Sequence, residues 1–415
     1  MKIAVFSDVF MDVPGGIPSS ILAQKEGLEA LGHEVTVFAP GLSKKSLKTA
    51  KLRDSVELVP SHKLLKLNGA PVSKRPGVVI KAILKKYPKF DFDIVHVHYE
   101  ASCSIAGAKL ARQFSRPLIQ TMHGREDMAV AINIPLGLRT IVAGLLSFLH
   151  SRYIPHSVKV AKDKKLAPTC ARAKMWELMV NHANYADKVI TPSAHFAKKL
   201  ESFGVKKPIT VVSNGVADQM VKEVEQRVAR TNGTLVRKVE NGDVLRLFWN
   251  SRLSNEKRIM PFLEALKLMK EPFYCTFCGD GNALGKARKF AQKNDLNKKT
   301  AFLGRVTHEE VLDKMMGQHL SVTVSYGFDT QGLTLLEAEA TGMPVFFCDP
   351  DMKEVVPAGG AIVADGPEPL QMARALDKLA REPERIEQMS RVMLKHRGEI
   401  LQSAQIKKLL AVYQG

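Results

Sequence analysis

Short apolar runs alternate with amphipathic segments along nearly the whole chain, and this alternation limits the fold more than any other feature. In the first half, Ile3–Ser7, Glu34–Phe38, Ile94–His98, Pro117–Thr121, Val189–Thr191 and Ile209–Val212 read as strands. Between them Ser19–Leu31, Ser104–Phe114 and Ala194–Phe203 read as helices, the first with Ile21, Leu22, Leu28 and Leu31 on its apolar side. The pattern then restarts. Leu245–Trp249, Phe273–Phe277, Thr300–Phe302, Leu320–Val324 and Val345–Phe347 are strand-like. Met260–Met269, Leu284–Lys293, Glu309–Met316 and Leu333–Ala340 separate them as helices. Strands alternating with helices make βαβ units and a parallel sheet. Two such series predict an α/β protein of two doubly wound, Rossmann-like domains facing across a cleft.

The break is expected near residues 214–244, where Asn214-Gly215, Asn232-Gly233 and Asn241-Gly242 supply turn signals. This reading gives a first domain over 1–218, a linker over 219–244, a second domain over 245–390 and a basic terminal helix over 391–415. That helix is placed to fold back toward the first domain.

A net charge of +19 points to nucleic acid, anionic lipid headgroups or a phosphorylated small molecule, or else to a solvated basic surface. Lysines and arginines cluster at Lys44-Lys45, Lys51-Leu52-Arg53, Lys81 to Lys89 and Lys159 to Lys165. Residues 134–183 hold the apolar stretch Leu136–Leu149 followed by cations, and 78–90 are similar. Each reads as a membrane-surface helix or as a helix packed on its own domain. Aromatic content is only 7%, with no RNP-like or helix-turn-helix pattern, so no nucleic acid partner is expected. Five cysteines, widely spaced, imply no disulfide framework. Cys275 and Cys278 sit in an apolar run and read as a buried strand rather than a metal site. The start lacks a signal-peptide pattern, and no stretch reaches the ~18 apolar residues of a membrane span. A cytoplasmic protein is expected, peripheral on the membrane if the basic helices bind lipid. In that setting the Asn232-Gly233-Thr234 sequon carries no information.

Asp329 and Glu337 bracket Gly332 in the run Asp-Thr-Gln-Gly-Leu-Thr-Leu-Leu-Glu. Gly332 makes a turn and Leu333 opens a helix. The free N–H groups at Gly332, Leu333 and Thr334 suit a phosphate, and the two carboxylates suit sugar hydroxyls.

The segment Gly327 to Val345 resembles the signature of retaining GT-B glycosyltransferases of family 4. That family usually has Glu at both acidic positions; here the first is Asp329, one methylene shorter. The Thr-Gln-Gly-Leu wording is similar to the branch that glycosylates diacylglycerol lipids. The resemblance covers nearly the whole chain. It implies that Gly15 and Gly16 form a glycine loop near the donor phosphate, and that His123 lies near the transferred sugar. Ile94 to Glu100, with its His96-Val-His98 pair, and Thr121 to Gly124 look like the family's strand-end sites, and the pair has no third ligand in register for a metal. Within Asn250 to Lys257, Arg252 and Lys257 match the cations that stabilise the leaving diphosphate. Gly279 and Gly281 match a Gly-Asp-Gly turn beside the donor. The implied enzyme moves a hexose from a nucleotide-sugar, with UDP the expected nucleotide, to a lipid or a soluble or polysaccharide acceptor. Asp329, Glu337 and His123 are its expected catalytic residues, with no metal or other cofactor. A nicotinamide oxidoreductase would need G-x-G-x-x-G at the first βα turn. Residues 7–20 carry only Gly-Gly, and Gly285 is one residue late after Gly279 and Gly281.

Overall fold

In the two large sheets every strand runs parallel to its neighbours. The computed structural model describes residues 1–12, 15–43, 47, 56–67, 70–230, 233–240 and 242–415. The chain divides into two units, Met1–Asn214 with Gln405–Gly415, and Gly215–Ala404. The basic runs at 44–45 and 51–53, Asn232 and Asn241 lie outside the described residues.

The first unit opens with β1 (Lys2–Phe6), α1 (Gly16–Ala30), β2 (Glu34–Pro40) and β3 (Val56–Val59). A hairpin follows, β4 (Ser61–Leu67) and β5 (Ala70–Ser73), then α2 (Pro76–Lys86), β6 (Ile94–Val97), α3 (Ser102–Gln113) and β7 (Leu118–Thr121). Next come α4 (Glu126–Asn133), α5 (Arg139–Ser151), α6 (Cys170–Tyr185), β8 (Lys188–Thr191), α7 (Ala194–Ser202) and β9 (Ile209–Val211). The sheet order is β3-β2-β1-β6-β7-β8-β9. The chain therefore builds outward from β1 in one direction, returns, and builds outward in the other, so the order reverses between β1 and β6. Alternate residues of β1 point to opposite faces. Ala4 and Phe6 enter one apolar cluster and Ile3 and Val5 the other. A sheet buried on both faces needs this continuous apolar composition.

The second unit holds α8 (Asp218–Arg230), β10 (Leu245–Asn250), α9 (Ile259–Leu268), β11 (Phe273–Cys278), α10 (Leu284–Lys293) and β12 (Thr300–Gly304). It continues with α11 (His308–Met316), β13 (Leu320–Thr323), α12 (Leu333–Ala340), β14 (Val345–Phe347), β15 (Ala361–Val363), α13 (Pro369–Ala380) and α14 (Glu384–His396). Its order, β12-β11-β10-β13-β14-β15, is the doubly wound pattern with a reversal between β10 and β13. Cys275 and Cys278 are buried free thiols on β11. The last helix, α15 (Gln402–Gln414), sends Ile406, Leu409, Val412 and Tyr413 into the cluster of the first unit that holds Ile3 and Val5.

Several expectations need amending. Residues 219–244 contain α8, whose Met220, Val221 and Val224 are buried in the second unit's core. Leu31, expected on the apolar side of the first helix, is 55% exposed. The helix stops at Ala30 and Gly32 turns the chain at φ +82°, so Leu31 no longer follows the helical face. Lys25 takes an interior place instead, donating to the Val35 carbonyl at 2.7 Å and to Glu29. Strands β3 to β5 and β15 carried no clear sequence signal.

Gly107 of α3 lies against β1 so closely that an added Cβ would stand 2.5 Å from the Phe6 ring. That ring is stacked on Phe38. In an exposed helix Gly→Ala stabilises by about 1 kcal/mol. Here Gly107→Ala should reverse the sign, costing ~1–3 kcal/mol through overpacking. A thermal melt checks this: the variant should unfold several degrees lower, and an unchanged or raised midpoint would refute the packing.

Candidate functional site

Open α/β sheets bind ligands beyond the carboxyl ends of their strands, where the order reverses. In the second unit this places the loops after β10 and β13 side by side. Lys257, in the loop after β10, donates to Oδ1 of Asp329, in the loop after β13, at 2.6 Å. Both side chains are largely buried, and Lys257 also lies over the Phe328 ring. Oδ2 of Asp329 is buried and has no hydrogen-bond partner among the described residues. A carboxylate oxygen in that condition is expensive to leave alone and suits a hydroxyl donor from a ligand. Asn250, at the end of β10, donates to Oε2 of Glu337 in α12 at 3.0 Å. The structure thus pairs a cation and an acid that the sequence suggested for separate parts of one ligand. An ammonium has three donors, so the Lys257 pair leaves others for a phosphate.

The loop carrying Arg252 is shaped by two glycines. A Cβ on Gly279 would lie 2.1 Å from the Ser251 carbonyl oxygen, and one on Gly281 would lie 2.3 Å from that of Leu253. Only bare backbone fits, and the Leu253 N–H closes the contact by donating to the Asp280 carbonyl at 3.0 Å. Arg252 projects outward, 55% exposed, 2.9 Å from Glu256. Gly332 at φ +75° opens α12 and brings no side chain of its own to cap that helix. Its first-turn N–H groups at Leu333 and Thr334 therefore add positive potential beside Asp329. Thr334 meets Thr323 of β13 at 3.3 Å between hydroxyls. Asp349 accepts from the Gly327 N–H at 2.6 Å and fixes the start of the Asp329 loop. Neither Asn250 nor Asp349 was given a role from sequence. An amide at a strand end and an acid after the next strand were the signals available.

The first unit brings a different chemistry to its own reversal point. Asp8, just after β1, accepts from the N–H groups of Cys103 at 2.6 Å, Ser104 at 3.1 Å and Ala101 at 3.2 Å. It thereby caps α3, the helix that follows β6. His96 contacts Thr121 at 2.6 Å and Tyr413 at 2.7 Å, and His98 contacts His123 at 2.8 Å. Burial lowers the pKa of all three imidazoles, His96 to about 3 and His123 to about 4, which favours their neutral forms. Burial also pushes Glu126 up to about 7 and raises Glu100, whose Oε1 is unpartnered. Glu126 was not singled out from sequence, whereas Glu100 closes the strand-end segment Ile94 to Glu100. Gly15 is exposed and extended, and Gly16 is the first residue of α1.

Burial raises the Glu337 carboxyl from 4.5 to about 7, and the hydrogen bond from Asn250 opposes the rise. A pKa higher in the folded state gives stability that is full below the unfolded value and fades as pH climbs through the folded one. Glu337→Gln removes that dependence. The variant's stability relative to wild type should increase from about pH 5 to about pH 8, measured by urea denaturation. A difference that stays flat with pH would mean a solvated carboxylate.

Residues 14–219 match Glycosyltransferase Family 4, and residues 235–393 match Glycosyl transferases group 1. The alpha-monoglucosyldiacylglycerol synthase of Acholeplasma laidlawii is 23% identical over 371 residues, covering 83% of this chain and 79% of the relative. That of Streptococcus pneumoniae is 24% identical over 353 residues, covering 83% and 70%. Among solved structures, sucrose-phosphate synthase from Thermosynechococcus elongatus superposes with a TM-score of 0.72 at 16% identity, covering 100% of this chain and 98% of that one. Anabaena HepE in complex with UDP gives 0.70 at 13% identity, covering 99% of both. With its GT-B-type α/β fold, the chain belongs to the glycosyltransferases, a family 4 domain followed by a group 1 domain.

Proposed function

We propose that this enzyme transfers a hexose from a UDP-sugar to a hydroxyl of a membrane glycerolipid such as diacylglycerol, with retention at the anomeric carbon. The acceptor reading is supported by the two glucosyldiacylglycerol synthases that align with most of the chain. The nucleotide reading is supported by the likeness to HepE, which binds UDP. The carrying observation is Asp329, held by Lys257 through one oxygen while the other stands buried and unpartnered.

In this mechanism the departing diphosphate gains negative charge. Arg252, Lys257 and the N-terminal turn of α12 at Gly332, Leu333 and Thr334 favour that state. These fixed positive charges supply what a divalent ion supplies elsewhere, so turnover without metal is expected. Asp329 accepts a donor-sugar hydroxyl and Glu337 a ribose hydroxyl. Gly279 and Gly281 let backbone approach the nucleotide. Gly15 and Gly16, toward the phosphates, and His123, toward the transferred sugar, are proposed on family resemblance. A neutral His123 can donate or accept a hydrogen bond without adding charge. With a lipid acceptor the enzyme would work peripherally on the cytoplasmic membrane.

Thermal-shift screening against nucleoside diphosphates and their hexose conjugates tests the donor. UDP and a UDP-hexose should raise the midpoint, and indifference to every nucleoside diphosphate would end the proposal. Product formation from diacylglycerol in detergent micelles, with the anomeric configuration read by NMR, tests the acceptor and retention. Glu337→Ala should leave the melting curve near wild type. It should lower kcat/KM by on the order of 10²-fold, the loss of charged hydrogen bonds to one ligand. Near-normal turnover in that variant would remove Glu337 from the site.

A further inference from the structure

Helix α5 is inside out. A surface helix normally buries its large apolar side chains and shows polar ones to water. Here the buried positions are Ala143, Ser147 and His150. The large apolar residues of α5 and the turn before it face solvent: Leu136 at 77%, Ile141 at 67% and Phe148 at 60% exposed, with Leu138, Leu145 and Leu149 exposed beside them.

The orientation is fixed by specific bonds. The buried His150 ring contacts His156 at 2.7 Å through Nδ1 and His182 of α6 at 2.9 Å through Nε2. Arg139 donates to the Ile134 carbonyl at 2.8 Å at the other end of the helix. Rolling α5 to hide its leucines would break both ring contacts. The segment that follows is cationic. Arg152, Lys162, Lys164 and Lys165 are exposed, and none of them has an ion pair among the described residues. Asp163 is the single acid among them, and it accepts from the backbone of Lys165 and Leu166.

We propose that this element is a bilayer-docking surface: Leu136 to Leu149 inserts its apolar face among acyl chains, and the following cations meet anionic headgroups. The choice of occupant rests on the lipid-acceptor reading and on the charge of the adjoining segment. No described helix is long enough to cross a membrane, and α5 at 13 residues suits lying in the interface. Cations near an anionic leaflet add attraction that salt screens.

The test uses the full chain and sedimentation with two vesicle types, phosphatidylcholine alone and phosphatidylcholine mixed with phosphatidylglycerol. Wild type should bind the mixed vesicles and lose much of that binding at high salt. Leu145→Glu with Phe148→Glu should weaken binding by at least ~10-fold at an unchanged melting midpoint. Lys162→Ser, Lys164→Ser and Lys165→Ser together should abolish the preference for phosphatidylglycerol. In the variant Phe148→Trp, tryptophan emission should shift to the blue with vesicles and be quenched by brominated acyl chains. Wild-type binding by the Leu145→Glu, Phe148→Glu variant, or unquenched Trp emission, would overturn the proposal. So would a wild-type dimer that this variant converts to monomer, since a second copy would then cover the face. Diacylglycerol glycosylation in detergent micelles separates the two readings. Product in micelles with unaltered vesicle binding by the variant defeats this surface alone. Vesicle binding as described with no lipid product defeats the acceptor reading alone.

Discussion

A parallel sheet covered on both faces has no free surface for chemistry, so polar function is forced to the strand ends. That constraint organises both units. At each reversal of strand order, neighbouring loops turn to opposite sides of the sheet and leave room between them. Carboxylates span each gap. Asp8 reaches from the end of β1 to the backbone of α3, and Glu337 in α12 takes the amide of Asn250 at the end of β10. The two differ in consequence. Asp8 is satisfied by three N–H groups and serves the framework, whereas Glu337 and Asp329 keep capacity for other donors.

The overall charge of the chain is a poor guide to its donor loops. Arg252 and Lys257 each have a carboxylate within 3 Å, at 2.9 and 2.6 Å. Local positive potential there comes from geometry, namely unshared ammonium protons and a helix N-terminus. The surplus behind the +19 sits elsewhere, in part on the exposed stretch around Lys162 to Lys165. In the first unit three buried rings, His96, His98 and His123, are uncharged and communicate by hydrogen bonds and stacking.

Local pattern was legible where it was strong. Helices Leu284–Lys293 and Leu333–Ala340 and strand Val345–Phe347 match their sequence readings residue for residue, because apolar spacing and glycine turns agree there. The motif around Asp329 was readable from acids bracketing a glycine. What escaped depends on distance along the chain. Lys257 with Asp329, Asn250 with Glu337, and Asp8 with Cys103 are long-range pairs that no window of sequence contains. Helix α5 was legible as a helix, with its orientation left open. Periodicity tells which residues share a face but not which face is turned inward, and there the inward face is the polar one. Strands β3 to β5 were hidden because β4 is mostly polar and exposed, and short edge strands lack a hydrophobic run.

The first unit is assembled from two stretches far apart in the sequence, and this bears on how the protein is made. A ribosome releases residues 1–214 well before 405–415. Until the final segment emerges, the sheet face lined by Ile3, Val5 and Ile94 lacks the cover that Ile406 and Leu409 provide. The Gly215–Ala404 unit can complete its own core on the ribosome, while the earlier-made unit waits with an open apolar face. A prematurely stopped transcript would accordingly produce a sticky, protease-sensitive chain rather than a shortened catalyst.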